Sequence, residues 1–243
     1  MKKIILILLC FSTLYIYGGN NQDTTARKGK WKIGINFSPD YCYRKLDSTG
    51  INNNYGDPIS FIIHERDSME IPKFGFTTGI SVGYDASRVI SLESGIYYSN
   101  KGYQTMWEGP YSNYGRQTFS VKLISSFTYI DIPFIVDVVL LNKNKIKGYI
   151  NAGFVFNIFV NSTKTSIENN SSNTSSTSYD LNTYNSLNIT PFAGLGVEYK
   201  FNDRISMKLE PSFRYGLLRI IDAPITAYLW NAGVNVGVNY YFK

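Results

Sequence analysis

Asn188-Ile189-Thr190-Pro191-Phe192-Ala193-Gly194-Leu195-Gly196-Val197-Glu198-Tyr199-Lys200-Phe201 is the stretch that decides the fold. Its odd positions read Ile, Pro, Ala, Leu, Val, Tyr, Phe; its even positions read Asn, Thr, Phe, Gly, Gly, Glu, Lys. A period of two is the mark of a strand with one apolar face. After a tight turn at Asn202-Asp203 the pattern repeats. Ile205, Met207, Leu209, Pro211, Phe213 and Tyr215 stand opposite Ser206, Lys208, Glu210, Ser212 and Arg214. It repeats again at the end of the chain, where Trp230, Ala232, Val234, Val236, Val238, Tyr240 and Phe242 alternate with Asn, Gly and Tyr.

Working back from this stretch, five earlier segments obey the same rule: 31–40, 73–85, 89–103, 119–140 and 147–160. Phe74, Phe76, Thr78, Ile80, Val82 and Tyr84 share one face of the second. Ile130, Ile132, Phe134, Val136 and Val138 share one face of the fourth, opposite Asp131, Pro133 and Asp137. Segments of ten or more residues suit tilted membrane strands of about 9–11 residues, whereas soluble strands have a mode of about 5–6. The connections alternate as well. Long ones fall at 41–72, 104–118, 161–187 and 217–226; short ones fall at 85–88, 142–146 and 202–203. Long loops on one side and tight turns on the other are the layout of bacterial outer-membrane barrels. An even strand count puts both chain ends on the tight-turn side, the periplasm. In 161–186, 19 of 26 residues are Ser, Thr or Asn, which predicts a flexible polar loop.

The 243 residues are 44% hydrophobic, 16% aromatic and 17% charged. The charge fraction lies below the roughly 25% of average soluble domains, and the aromatic content argues against disorder. The net charge of +6 is spread along the chain, so no nucleic-acid footprint is expected. One His and two Cys give little support to zinc sites, His-based catalysis or a disulfide framework. Lys2 and Lys3 followed by the apolar run 4–11 and by Gly18-Gly19 predict a signal peptide over 1–19, leaving 20–243 as the barrel domain. The bulky Leu8 and Leu9 before Cys10 argue against a lipid-attachment site. Cleavage leaves Cys42 without a partner for an internal disulfide.

Alternation alone does not say which face is inside. A soluble lipocalin-like carrier puts its apolar face inward; a membrane barrel puts it outward. The polar faces here are rich in Gly, Ser and Asn and poor in Lys and Glu. Small polar residues suit a crowded lumen better than a water-facing surface, which carries more charge. Two aromatic rings are expected as interfacial girdles: Trp31, Tyr84, Tyr199, Tyr240 and Phe242 at the periplasmic end, and Phe37, Phe74, Tyr98, Phe159, Tyr215 and Trp230 at the other.

Tyr129-Ile130-Asp131-Ile132-Pro133-Phe134 is similar to the Tyr-Leu-Glu-Ile-Pro-Leu segment of the PorT-like small outer-membrane β-barrel proteins. Gly79-Ile80-Ser81-Val82-Gly83-Tyr84 and residues 193–199 resemble the glycine-rich repeats of that family. Tyr240-Tyr241-Phe242 looks like the C-terminal signal read by barrel-insertion machinery. The resemblance covers residues 29–243. It implies no catalytic residues, and a role in protein secretion for some members.

The chain carries no Gly-x-Ser-x-Gly, no phosphate-binding Gly-rich loop and no Cys-x-x-Cys. His64-Glu65-Arg66-Asp67 reads as solvated loop charge, which leaves a rim enzyme only through His64. Glu198, Lys200, Lys208, Glu210 and Arg214 share the polar faces of two strands joined by one turn. They are expected to form a lumen ion-pair network, Glu198 pairing with Lys208 or Arg214 and Glu210 with a Lys or Arg. The sequence therefore predicts an all-β protein: an eight-stranded antiparallel up-and-down transmembrane β-barrel with long extracellular loops and short periplasmic turns. It is expected to be integral to the outer membrane of a Gram-negative bacterium, surrounded by outer-membrane lipid and inserted through its C-terminal strand. No catalytic, cofactor or metal site and no nucleic-acid partner is expected. Loop 41–72, with Tyr41, Tyr43, Tyr55, Phe61, Ile62 and Ile63, is the candidate surface for a protein partner. Eight strands leave an interior that side chains fill, which disfavours a general porin.

Overall fold

A computed structural model describes residues 30–48, 58–111, 117–168, 171–175, 184–221 and 223–242. The expected signal peptide and Cys10 lie outside the described residues. In chain order the elements are β1 (Lys30–Ser48), α1 (Pro58–Met69), β2 (Glu70–Asp85), β3 (Ile90–Tyr111), β4 (Gln117–Lys143), β5 (Ile146–Glu168), β6 (Ser171–Ser175), β7 (Leu187–Lys200), β8 (Ile205–Tyr215) and β9 (Ile225–Tyr241).

Each barrel strand pairs antiparallel with its neighbours in the chain, and β9 returns to β1 with Ile33 opposite Tyr240 and Tyr43 opposite Trp230. Eight strands close the ring. The ninth, β6, pairs only with the far end of β5, Lys164 opposite Ser175. Closure gives every wall strand a partner on both sides. In lipid this is obligatory, because no water is there to satisfy an open edge.

The alternation is inverted relative to a soluble barrel. Ile35 is 70% exposed on the outer wall, while Asn36 beside it is 1% exposed. Leu209 and Lys208 repeat the contrast, at 51% and 1%. Apolar residues face out and polar residues fill the interior, so the lipocalin-like alternative is excluded by the faces themselves. Aromatic pairs ring the two ends of the apolar band. Trp31 packs on Tyr84 and Tyr240 on Phe242 at the turn end; Tyr41 packs on Phe74, and Tyr41, Tyr43 and Phe213 surround Trp230 at the loop end. Phe159 is a correction. It is 6% exposed and points inward, because it shares parity with the inward Asn151, Val155 and Asn157.

The strands run further than the alternation predicts. β1 continues to Ser48, β3 to Tyr111 and β5 to Glu168, and β4 begins at Gln117. The expected loops 41–72, 104–118 and 161–187 are therefore partly strand, and α1 fills part of the first. Beyond the lipid band both faces meet water, so hydrophobic alternation lapses while backbone pairing continues. The wall is uneven as a result: β4 has 27 residues and β8 has 11. The register of β4 shifts against β5 between Thr128 and Tyr129. Opposite this region on β3 lies Gly102 at φ 152°, where a side chain would strike the Ser125 carbonyl. On the other side of the membrane the connections are short: residues 86–89, 144–145 and 201–204.

The candidate site: a filled lumen

The interior side chains arise from strict parity along each strand. On β1 these include Lys32, Asn36, Asp40 and Arg44; on β8 they are Ser206, Lys208, Glu210, Ser212 and Arg214. A charge in such a place is costly unless it is paired and hydrogen-bonded, and the interior is organised in layers that do this.

Nearest the turn end, Lys147 Nζ lies 3.0 Å from Ser91 Oγ, 3.5 Å from Asp85 and 3.9 Å from Glu198. Glu198 also accepts hydrogen bonds from Tyr241, at 2.6 Å, and from Ser206. Lys32 lies 4.0 Å from Asp137. In the next layer Lys208 donates to both carboxylate oxygens of Glu93, at 2.7 and 2.9 Å. Above it Glu210 accepts from Tyr149 at 3.0 Å and Asn151 at 2.8 Å. Higher still, Arg214 donates to Thr77 at 3.0 Å and lies 3.7 Å from Asp40, its guanidinium 5.5 Å from the Phe192 ring centre. Lys101 and Asp131 form a 3.0 Å pair, and Asn157 donates to Asp131.

A hydrophobic cluster sits over these layers. Phe127, Tyr129, Phe159, Tyr184, Ile220 and Leu229 are all buried together. Tyr184 and Ile221 hold it from above through a single β-bridge between two loop segments. At the loop end α1 is fastened to the barrel. Arg44, 2% exposed, contacts both Asp67 and Glu70, and Arg66 reaches Glu70 at 2.6 Å. The Pro at the start of α1 suits a first helical turn.

The structure places four of the five expected network residues, Glu198, Lys208, Glu210 and Arg214, inside the barrel. Lys200 is half-buried at the turn-end rim, its ammonium 5.8 Å from the Tyr241 ring centre. The expected pairings are corrected. Glu198 faces Lys208 in the ladder, yet Lys208 reaches across to Glu93. Arg214 goes to Asp40, and Glu210 is held by neutral donors, with no ion pair among the described residues. In an eight-stranded barrel the far wall is within reach of a long side chain, so cross-lumen partners compete with ladder neighbours. Asp40, Lys101 and Lys147 carry pairs that a strand-by-strand reading does not assign. Their signal is parity: Asp40 lies eight residues from Lys32, on the same face.

Elsewhere, His64 is exposed on α1. Among the described residues no group of three or more His, Cys, Asp or Glu is placed to hold a metal ion. Cys42 is a buried free thiol.

The family model described as "Outer membrane protein beta-barrel domain" matches residues 19–222. No curated protein matches the chain. Among solved structures, Neisserial surface protein A is 15% identical, over 89% of this chain and all of its own, with a TM-score of 0.40. The outer membrane protease OmpT from Escherichia coli is 8% identical, over 92% of this chain and 99% of its own, at 0.47. Ail, the attachment invasion locus protein of Yersinia pestis, is 11% identical, over 88% and 99%, at 0.34. No activity passes from them to this chain.

Proposed function

Since the chain belongs to the outer membrane protein beta-barrel domain family and is an integral outer-membrane barrel, we propose that it is a non-enzymatic interaction protein that works through its extracellular end. One observation carries this reading: the lumen is filled. Charged layers cross it from Lys147 to Asp131, and the Phe127–Tyr184 cluster covers them. A filled barrel offers solutes no route, so function falls to the surfaces outside the membrane. There α1 is held in place by Arg44, and it presents Phe61 and Ile62, 67% and 42% exposed. Apolar side chains displayed on a fastened helix suit contact with another protein.

We assign the partner surface to the segment 41–72, within which α1 is the described helical part, and the family role to protein secretion or surface-protein assembly. The Tyr129–Phe134 segment supports PorT-like kinship within the family, and the C-terminal strand is the segment we assign to the insertion machinery. The test replaces Phe61 and Ile62 with Ser in cells and compares in vivo crosslinks, secreted proteins and surface proteins with wild type. Loss of a specific crosslink together with a changed surface proteome is expected. Unchanged crosslinks and an unchanged surface proteome would sink the reading.

A further inference from the structure

The turn end, which faces the periplasm in barrels of this kind, is strongly basic. Lys30, Arg88, Lys143, Lys145, Lys200 and Arg204 gather there against Asp85 and Asp203. Among the described residues Lys30, Arg88, Lys143, Lys145 and Arg204 make no ion pair. At the loop end Arg44 and Arg66 are answered by Asp67 and Glu70, while Lys45 and Lys73 make no ion pair among the described residues.

Within this basic face is a concavity at the barrel mouth, a pocket of about 100 Å³ lined by Lys30, Asp85, Arg88, Lys147, Lys200 and Asp203. The charges do not cancel. Lys147 is engaged by Asp85 and Glu198. Lys30, Arg88 and Lys200 then stand against Asp203 and the second carboxylate on Lys147, a surplus of one positive charge. Lys200 is steadied over the Tyr241 ring, which reduces the entropy lost when it meets an anion. Ser87, also at the wall, accepts hydrogen bonds from the Val89 and Ile90 amides. Its own hydroxyl proton remains for an acceptor in the pocket.

We propose that this mouth is a binding site for a phosphate group. A phosphate group near neutral pH is anionic, about −1.5 to −2 as a monoester or free ion and about −1 as a diester, so it answers the positive surplus. Its oxygens suit the flat fork of Arg88, the ammoniums of Lys30 and Lys200, and the Ser87 hydroxyl. The site is independent of the partner surface at the opposite end. The phosphate comes either free in the periplasm or on an inner-leaflet phospholipid headgroup, and both present anionic phosphoryl oxygens to the pocket.

The test uses the full barrel in a maltoside detergent at low ionic strength, titrated with inorganic phosphate and followed by backbone amide NMR, with chloride as control. Saturable shifts are expected at Ser87, Arg88, Lys200 and Asp203. The double variant Arg88→Gln/Lys200→Gln should weaken binding at least tenfold. Lys143→Gln/Lys145→Gln, which alters the same face outside the pocket, should change it less than twofold. All variants are first checked for heat-modifiable gel migration, and Arg88→Lys serves as a second, milder variant if the double one fails to fold. Phosphatidylglycerol nanodiscs that abolish the phosphate response, where phosphatidylcholine nanodiscs keep it, assign the site to lipid phosphate. Retention in both assigns it to the free ion. Shifts that do not saturate, no shifts at all, or equal weakening by the two double variants would overturn the site, leaving only a diffuse counterion atmosphere.

Discussion

Lys208 stands opposite Glu198 in the β7–β8 ladder but gives its ammonium to Glu93, on the strand four places away in either direction round the barrel. The pair spans the full width of the lumen. Breaking one half strands a buried charge, which costs about 3–5 kcal/mol. Lys208→Met and Glu93→Gln should each destabilise on that scale, and together by clearly less than their sum. Urea unfolding in lipid vesicles, read by heat-modifiable migration, measures the cycle. Larger coupling of Lys208 to Glu198 than to Glu93 would contradict the geometry.

The outer wall gives a depth-dependent expectation. Ile35 lies in the middle of the apolar band, and Phe201 at its turn-end margin. Arg at Ile35 should cost about 2–4 kcal/mol, and Arg at Phe201 about 0–1 kcal/mol. The same vesicle assay reads both. Equal costs would mean that the lipid band is misplaced.

Phe159 packs against Tyr129 at 5.7 Å and Tyr184 at 5.1 Å, ring centre to ring centre. Phe159→Ala should therefore cost about 3–5 kcal/mol, as for a core aromatic. Planar bilayers containing the variant should stay silent, because the charged layers beneath the cluster remain. Steady ion conductance in the variant would show that the cluster alone closes the barrel.

Arg44 ties α1 to the mouth through Asp67 and Glu70. Arg44→Leu should speed amide exchange in residues 58–69 while leaving the β1–β9 ladder protected. Unchanged exchange in α1 would show that other contacts hold the helix.

The architecture was legible wherever lipid enforces alternation. Ile35/Asn36 and Leu209/Lys208 each announce a wall with one oily face, and the short turn at Asn202-Asp203 fixes their direction. The same logic places Glu198, Lys208, Glu210 and Arg214 inside. It does not choose their partners, because the competition is between a ladder neighbour and a residue up to 115 positions away, as with Glu93 and Lys208. Nor does it reveal how far β3, β4 and β5 continue. Once both faces are wet, Ser, Thr and Lys pair as readily as Val, and periodicity carries no message. Phe159 departs from the interfacial girdle for a related reason: near the Thr128/Tyr129 shift an aromatic ring serves an interior cluster as well as it serves a membrane interface.

The uneven wall has a mechanical consequence. Residues 117–128 of β4 continue past the register shift as roughly 40 Å of strand at about 3.3 Å per residue. They are laced to β3 as far as Tyr111 and to β5 as far as Glu168. From Val121 to Thr128 the ribbon is three strands wide, and such a ribbon resists bending far better than a single loop. This side of the molecule is a fixed mast rather than a tether. The wall is lowest at β8, which ends at Tyr215 opposite Trp230, while β9 beside it runs on to Ile225 against Ser48 of β1. The tall and low parts of the wall lie three strands apart round the barrel, so the rim is lopsided rather than level.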